Sequence, residues 1–135
     1  MITEYTFTSP RLAPTPGELD EGHDDYINPG LFAAELSAVV IAGLAEEGYR
    51  VRARVVEDWG NWIEIDHDGD FALAVCCANI DGAAGSHRVA TVPDRPHVRK
   101  FLRKIDVQAD VERLSAALFR ILSRTEGITD LRAGP

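Results

Sequence analysis

The chain has 135 residues, 45% of them hydrophobic, and a formal net charge of −8. This size predicts a single domain, residues 1–135, and the hydrophobic fraction excludes a disordered chain. The negative charge disfavours nucleic acid as a partner, and the lack of a secretory signal or a long apolar run disfavours a membrane, so we expect a cytoplasmic protein.

The first third of the chain predicts a short strand, an irregular segment and a helix. Tyr5–Thr8 is the candidate strand, and the prolines, glycines and acids of residues 1–28 predict a partly irregular N-terminal segment. Asn28 is the predicted N-cap of the helix, which ends at Gly48. Gly43 lies on the apolar stripe of this helix, where the missing side chain permits close packing.

Three or four antiparallel strands are predicted from Tyr49 onward. Asp68-Gly69 is a strong hairpin signal that would pair residues 62–67 with residues 70–76, after a loop at residues 57–61. Side chains alternate between the two faces of a strand, so this register places one apolar set against the core. That set is Val51, Ala53, Val55, Ile63, Ile65, Ala72, Ala74 and Cys76.

The opposite face of these strands is predicted to be polar in one half and apolar in the other. In the polar half, Arg52 is expected opposite Asp66 and Arg54 opposite Glu64. Exposed, contiguous apolar area usually marks an interaction site. The predicted binding residues are therefore the apolar ones of this face and its loop, namely Trp59, Trp62, Phe71, Leu73 and Val75.

The C-terminal part predicts a strand at Ser86–Val92, a short helix within "DRPHVRKFLRKI" that turns Phe101 inward, and a long helix capped by Asp106. The sequence "ITDLR" after Gly127 is a candidate edge strand. Together these elements predict an α+β fold, a two-layer sandwich in which an antiparallel sheet of four to five strands carries two main helices on one face.

Metal-binding patterns in the chain are weak. Asp66, Asp68 and Asp70 alternate as in a calcium loop, but Phe71 and Cys77 stand where that loop needs glycine and glutamate. The acidic stretch Asp20–Asp25 contains a histidine and is a second candidate, although loops of this composition are usually only solvated. We therefore predict neither a metal site nor a cofactor, and no catalytic residue follows from any motif.

Charge is unevenly distributed along the chain. Residues 1–70 hold 15 acidic and 4 basic residues, whereas residues 71–105 hold 2 acidic and 6 basic ones. The basic strip at residues 95–104 is a candidate nucleic-acid contact, but stacking aromatics are missing if Phe101 faces the core. We expect this strip to face water or the acidic half of the protein.

The tract "EDWGNW", Glu57–Trp62, is either a turn between two strands or a binding site, and the turn is favoured. It resembles the acidic-Asp-Trp-Gly-Trp signature of a family of small uncharacterised bacterial proteins with a helix–strands–helix layout. The resemblance covers about residues 29–131 and implies a fold but no activity. Asn61 departs from the signature because it precedes the second tryptophan and is expected to change that indole's face.

Two functional hypotheses follow. The favoured one is a non-catalytic interaction module, which binds another protein or a second copy of itself through the outer sheet face. The alternative is a small hydrolase- or lyase-like enzyme with Glu57 or Asp58 beside His67 or His87, near the Glu57–Trp62 loop.

Overall fold

The computed structural model describes residues 1–80 and 84–135, which form eight strands and two α-helices. The helices are Ala34–Glu46 (α1) and Gln108–Arg124 (α2). The strands are Glu4–Thr8 (β1), Arg50–Val56 (β2), Asn61–Asp66 (β3), Ala74–Asn79 (β4), Ser86–Val92 (β5), His97–Lys100 (β6), Arg103–Asp106 (β7) and Thr129–Gly134 (β8).

Six of these strands form one antiparallel sheet in the order β2-β3-β4-β5-β1-β8, and β6 and β7 pair separately as a hairpin. The predicted α+β class is confirmed, with a slightly wider sheet than the expected four to five strands. The predicted strand at residues 86–92 has the expected bounds, and the C-terminal segment is an edge strand as predicted.

Both helices lie on the same face of the sheet. The Tyr5 hydroxyl donates to the carbonyl oxygen of Ser115 in α2 at 2.9 Å, and the Asn61 amide is hydrogen-bonded to the Ser37 hydroxyl of α1 at 2.8 Å. The helices also contact each other closely, because a Cβ at Gly43 would lie 2.6 Å from Ile121. The predicted close approach at this glycine is thus confirmed.

The start of α1 differs from the prediction. The helix begins at Ala34 because Gly30 takes a left-handed backbone conformation (φ 80°), which interrupts any helix from Pro29. Asn28 therefore does not cap the helix. Buried Glu18 does so from the N-terminal segment, with Oε2 accepting from the backbone N–H groups of Ala33 and Ala34 at 2.7 and 3.0 Å.

The register of β3 and β4 is shifted by one residue from the prediction. Ile63 lies opposite Val75 rather than opposite Ala74. The cause is the connection, because residues 67–73 form a seven-residue loop instead of a two-residue turn at Asp68-Gly69. His67 holds that loop, since its Nδ1 accepts from the Gly69 N–H at 3.0 Å and its Nε2 is hydrogen-bonded to the Phe71 carbonyl at 2.8 Å.

A one-residue shift exchanges the two faces of a strand, so the predicted faces of β4 were wrong. Leu73 and Val75 are fully packed in the core beneath the helices, with Leu73 only 3% exposed. Ala74 and Cys76 occupy the opposite face.

The predicted pairing of β2 was wrong beyond Val51, because the strand contains a β-bulge. Val51 lies opposite Ile65 on the core face as expected, but the pairing shifts before Ala53, which lies opposite Glu64. Val55 consequently faces outward and is 40% exposed. Arg54 turns to the other side, where it pairs with Asp25 at 3.0 Å instead of with Glu64.

The segment 97–106 is a β-hairpin, so the predicted short helix was wrong. Val98 and Ile105 lie opposite each other and pack partly buried against the core. Two residues, Phe101 and Leu102, connect the strands with φ values of 51° and 65°, which is the pattern of a type I′ turn. Their side chains are 89% and 96% exposed, the reverse of the expected burial of Phe101.

Candidate interaction surface

The face of the six-stranded sheet away from the helices, called the outer face below, carries no helix in residues 1–80 and 84–135. Alternation fixes its composition, because Ile63, Val75 and Val89 point to the core and their neighbours point away from it. The apolar side chains of the outer face are Ala53, Val55, Trp62, Ala74, Cys76, Ala78, Ala90 and Val92.

The centre of the outer face is a row of four apolar residues on four adjacent strands. Val55 pairs with Trp62, Trp62 with Cys76, and Cys76 with Ala90. Cross-strand neighbours lie within about 5.5 Å of each other, so the row is continuous across β2, β3, β4 and β5. Val55 is 40% exposed, Trp62 and Cys76 are half-buried and Ala90 is 9% exposed, so Val55, Trp62 and Cys76 supply the accessible apolar area of the row.

Acidic side chains border this row. Glu64 lies beside Trp62 on β3, and Glu57 precedes the turn that leads into β3; neither forms an ion pair with any described residue. Other charges of this face are paired, since Glu4 contacts Arg88, and Asp66 contacts Arg52 at 3.0 Å. The two free carboxylates therefore give the apolar row a negative border.

The cysteines of the chain offer no reactive thiol. Cys76 on the outer face has its pKa raised to about 11, mainly by burial among its neighbours, with the nearby Arg88 charge acting in the opposite direction. Burial also raises the pKa of Cys77, which points into the core. A thiolate is the nucleophilic form of cysteine, so both residues act as small packing groups here.

The "EDWGNW" tract is a tight turn between β2 and β3 that closes with a hydrogen bond from the Glu57 N–H to the Gly60 carbonyl at 2.8 Å. Gly60 is buried against β4, and a Cβ there would collide with the carbonyl oxygen of Cys77. Asn28 donates from its side chain to the Asp58 carbonyl at 3.0 Å. The tract thus has a structural role, and it positions Trp62 on the outer face.

The structure separates the five predicted binding residues. Trp62 lies on the outer face and Trp59 is half-buried in the turn that precedes it. Phe71 is half-buried in the 67–73 loop, where its ring packs against His67, with 4.7 Å between the ring centroids. Leu73 and Val75 are core residues, so the prediction that they contribute to an exposed face was wrong.

The residues of the alternative enzyme hypothesis do not come together. Glu57 and Asp58 lie before β3 and His67 lies after it, so the length of a six-residue strand, roughly 20 Å, separates them. His87 is buried in the core, where its ring stacks on Phe7 and its Nε2 is hydrogen-bonded to the Ser9 carbonyl at 3.1 Å. Burial lowers the pKa of His87, which favours the neutral form of the ring.

A polar cleft of about 580 Å³ lies at the opposite end of the sheet from the "EDWGNW" turn. Most of its charges are paired, as Asp66 contacts Arg52 and Arg50, and Asp110 contacts Arg113, whereas Asp68 forms no ion pair with any described residue. Both ring nitrogens of His67 are occupied by the backbone, as described above. Asp68 is therefore the one carboxylate of this lining without an ion-pair partner among the described residues, and the histidine beside it is held by the backbone.

No group of three or more histidine, cysteine or acidic side chains is placed to hold a metal ion in residues 1–80 and 84–135. Neither helix described for the chain is both long and apolar enough to cross a membrane.

Sequence reasoning missed the most exposed apolar side chains, those of Phe101 and Leu102 at the hairpin tip. The sequence does contain a signal for this hairpin, because "HVRK" and "RKID" each alternate in polarity and are separated by two residues. Pro93 and Pro96 also disfavour a helix here. No family model, curated protein or solved structure matches the chain, so the resemblance of its tryptophan tract to a bacterial family stays a prediction.

Proposed function

We propose that the protein is a non-catalytic interaction module that binds a protein chain through its outer face. The observation that carries this proposal is the continuous row Val55–Trp62–Cys76–Ala90 on a sheet face that no described helix covers. In a two-layer sandwich the second face of the sheet normally carries polar residues, because it faces water. Apolar residues across four strands of that face are typical of a surface that becomes buried on association.

The chemistry of the surface defines its partner. An apolar centre around Trp62 requires an apolar side chain that fits against a flat indole, and large aromatics are common anchors of such contacts. The unpaired carboxylates of Glu57 and Glu64 require basic groups beside that anchor. The proposed partner is therefore a protein surface with an exposed apolar group bordered by arginine or lysine.

The test uses Val55→Glu, which places a charge on the exposed end of the row without disturbing the core. Its control is Phe119→Glu, which changes a half-exposed phenylalanine of α2 on the other side of the sheet. Sedimentation equilibrium detects self-association, and affinity capture from the native cells detects a different partner. We expect the bound chain, whether it is a second copy or a different protein, to be lost in Val55→Glu and retained in Phe119→Glu.

Two outcomes contradict the proposal. One is a bound chain that both variants retain, because the contact would then lie elsewhere on the molecule. The other is the absence of any bound chain for the unmodified protein in both assays. Circular dichroism of each variant confirms that the fold is intact before the comparison is made.

A further inference from the structure

The β6–β7 hairpin is a basic arm with an apolar tip. Residues 95–104 contain five basic and no acidic side chains, whereas the rest of the chain contains 9 basic and 22 acidic ones. Phe101 and Leu102 at the tip are almost fully exposed. The arm is therefore opposite in charge to the remainder of the molecule and presents the kind of anchor that the outer face requires.

The arm is fixed to its own domain next to its tip, through Lys100 and Arg103, the pair that flanks Phe101 and Leu102. Asp70 of the 67–73 loop contacts Lys100 Nζ at 2.7 Å and Arg103 at 3.1 Å, and the hydrogen bond from Lys100 lowers the pKa of Asp70. These two cations are thus used within the chain. Arg99 and Lys104, in contrast, form no ion pair with any residue described in the structure.

The two unpaired cations and the two tip residues of the arm all lie in energetically unfavourable positions. Arg99 and Lys104 lie directly opposite each other in the hairpin, and like charges in such a pair repel. Phe101 and Leu102 both hold the left-handed backbone conformation, which side chains larger than glycine rarely adopt. Strain of this kind tends to be retained where a segment contacts a ligand or partner.

The arm adjoins the outer face at the end of β5. A groove of about 560 Å³ is lined by Val92 of the outer face together with Arg99 and Lys104 of the arm. Arg99 and Lys104 therefore line a groove that begins at the end of β5, where Val92 lies two residues beyond Ala90 of the apolar row.

We infer that the outer face of one molecule is covered by the β6–β7 hairpin of a second copy of the same chain, an inference that rests on the proposed function. Phe101 and Leu102 pack on the row around Trp62, while Arg99 and Lys104 pair with Glu57 and Glu64 of the other copy. Each copy gives its arm and receives one, so the assembly closes as a two-fold dimer.

The first experiment replaces the tip by the sequence that suits its backbone best. Phe101→Asn with Leu102→Gly creates an Asn-Gly type I′ turn, which keeps the hairpin and removes its apolar anchor. In sedimentation equilibrium the dimer dissociation constant is expected to rise by about thirty-fold or more, as for a central aromatic anchor. The melting temperature of the monomer, measured below both dissociation constants, does not fall. Leu19→Asn, which changes an exposed leucine outside both surfaces, is the control and leaves the dimer unchanged.

The second experiment exchanges the charges. Variant one carries Arg99→Glu and Lys104→Glu, and variant two carries Glu57→Lys and Glu64→Lys. Each variant alone places like charges at both contacts and is expected to be monomeric. A mixture pairs an acidic arm with a basic face and a basic arm with an acidic face, so it is expected to form a one-to-one dimer.

The outcomes separate the inference from the proposed function. If the unmodified chain dimerises and Val55→Glu abolishes the dimer but the Asn-Gly tip does not, the outer face is an interface and the arm assignment is wrong. If the unmodified chain is monomeric up to millimolar concentration, the occupant of the outer face is not a second copy and the inference is overturned. Val55→Glu then still tests whether the outer face binds another protein. Binding of the monomer to a DNA duplex or to anionic vesicles that the Asn-Gly tip abolishes also overturns the inference.

Discussion

Replacement of Leu73 by alanine tests the strand register that decides which side chains form the outer face. Leu73 is 3% exposed and belongs to the core beneath the helices. Loss of three carbon groups at about 0.8 kcal/mol each removes about 2.4 kcal/mol of transfer free energy, and the residual cavity raises the cost to about 3 kcal/mol. The matched variant is Cys76→Ala, which changes an outward side chain three residues further along and should cost less than about 1 kcal/mol.

Urea denaturation followed by circular dichroism measures both free energies of unfolding. With a slope of about 2 kcal/mol per molar urea, Leu73→Ala should lower the midpoint by about 1.5 M, and Cys76→Ala should lower it by less than about 0.5 M. The opposite order, or equal costs, would refute the register and with it the outer face as defined here. A charge at that position, as in Leu73→Asp, would unfold the domain because Leu73 is buried beneath the helices.

Three further predictions concern stability. Gly60→Ala should destabilise the domain by about 2 kcal/mol in urea titration, because a methyl group there collides with the Cys77 carbonyl; a neutral result would mean that the turn is not packed against β4. Glu18→Gln should cost about 2 kcal/mol, because one oxygen accepts from the N–H groups of Ala33 and Ala34 and the other from Thr15; a loss under about 0.5 kcal/mol would contradict its capping role. Burial lowers the pKa of His87 in the folded state, so the unfolded state binds more protons below about pH 6.5 and thermal stability should fall as the pH is lowered through that range. His87→Phe should weaken this pH dependence, and an unchanged profile would assign it to other groups.

The parts of the fold that depend on local pattern were predictable from the sequence. The end of α1 near Gly48, the bounds of β5 and the edge strand β8 all follow from periodicity and turn residues, and Gly43 marked the helix contact. These features depend on neighbours in sequence, so one chain is sufficient to identify them.

The composition of the outer face was not predictable, because it depends on the length of one loop. Asp68-Gly69 favours a two-residue turn, but His67 binds the backbone at Gly69 and Phe71 and extends the connection to seven residues. That difference of one residue in register moves Leu73 inward and Cys76 outward. The bulge in β2 likewise results from packing that periodicity does not record.

The basic hairpin was missed for a related reason. Val98, Phe101, Leu102 and Ile105 have helical spacing, but only Val98 and Ile105 contact the core. The two tip residues are apolar but exposed. A prediction from periodicity assumes that regularly spaced apolar residues are buried, and that assumption fails here. Such a departure from pattern is expected where a segment serves a contact outside its own domain.

The most direct test of the account is a photo-cross-link from the hairpin tip. Phe101 is replaced by the photoreactive p-benzoylphenylalanine, which preserves an aromatic anchor, and the protein is mixed with an isotopically labelled copy before irradiation. The account predicts cross-links between copies, from position 101 to the peptide that contains Val55 and Trp62. Cross-links confined to one chain, or joined to the helical side of the second copy, would contradict it.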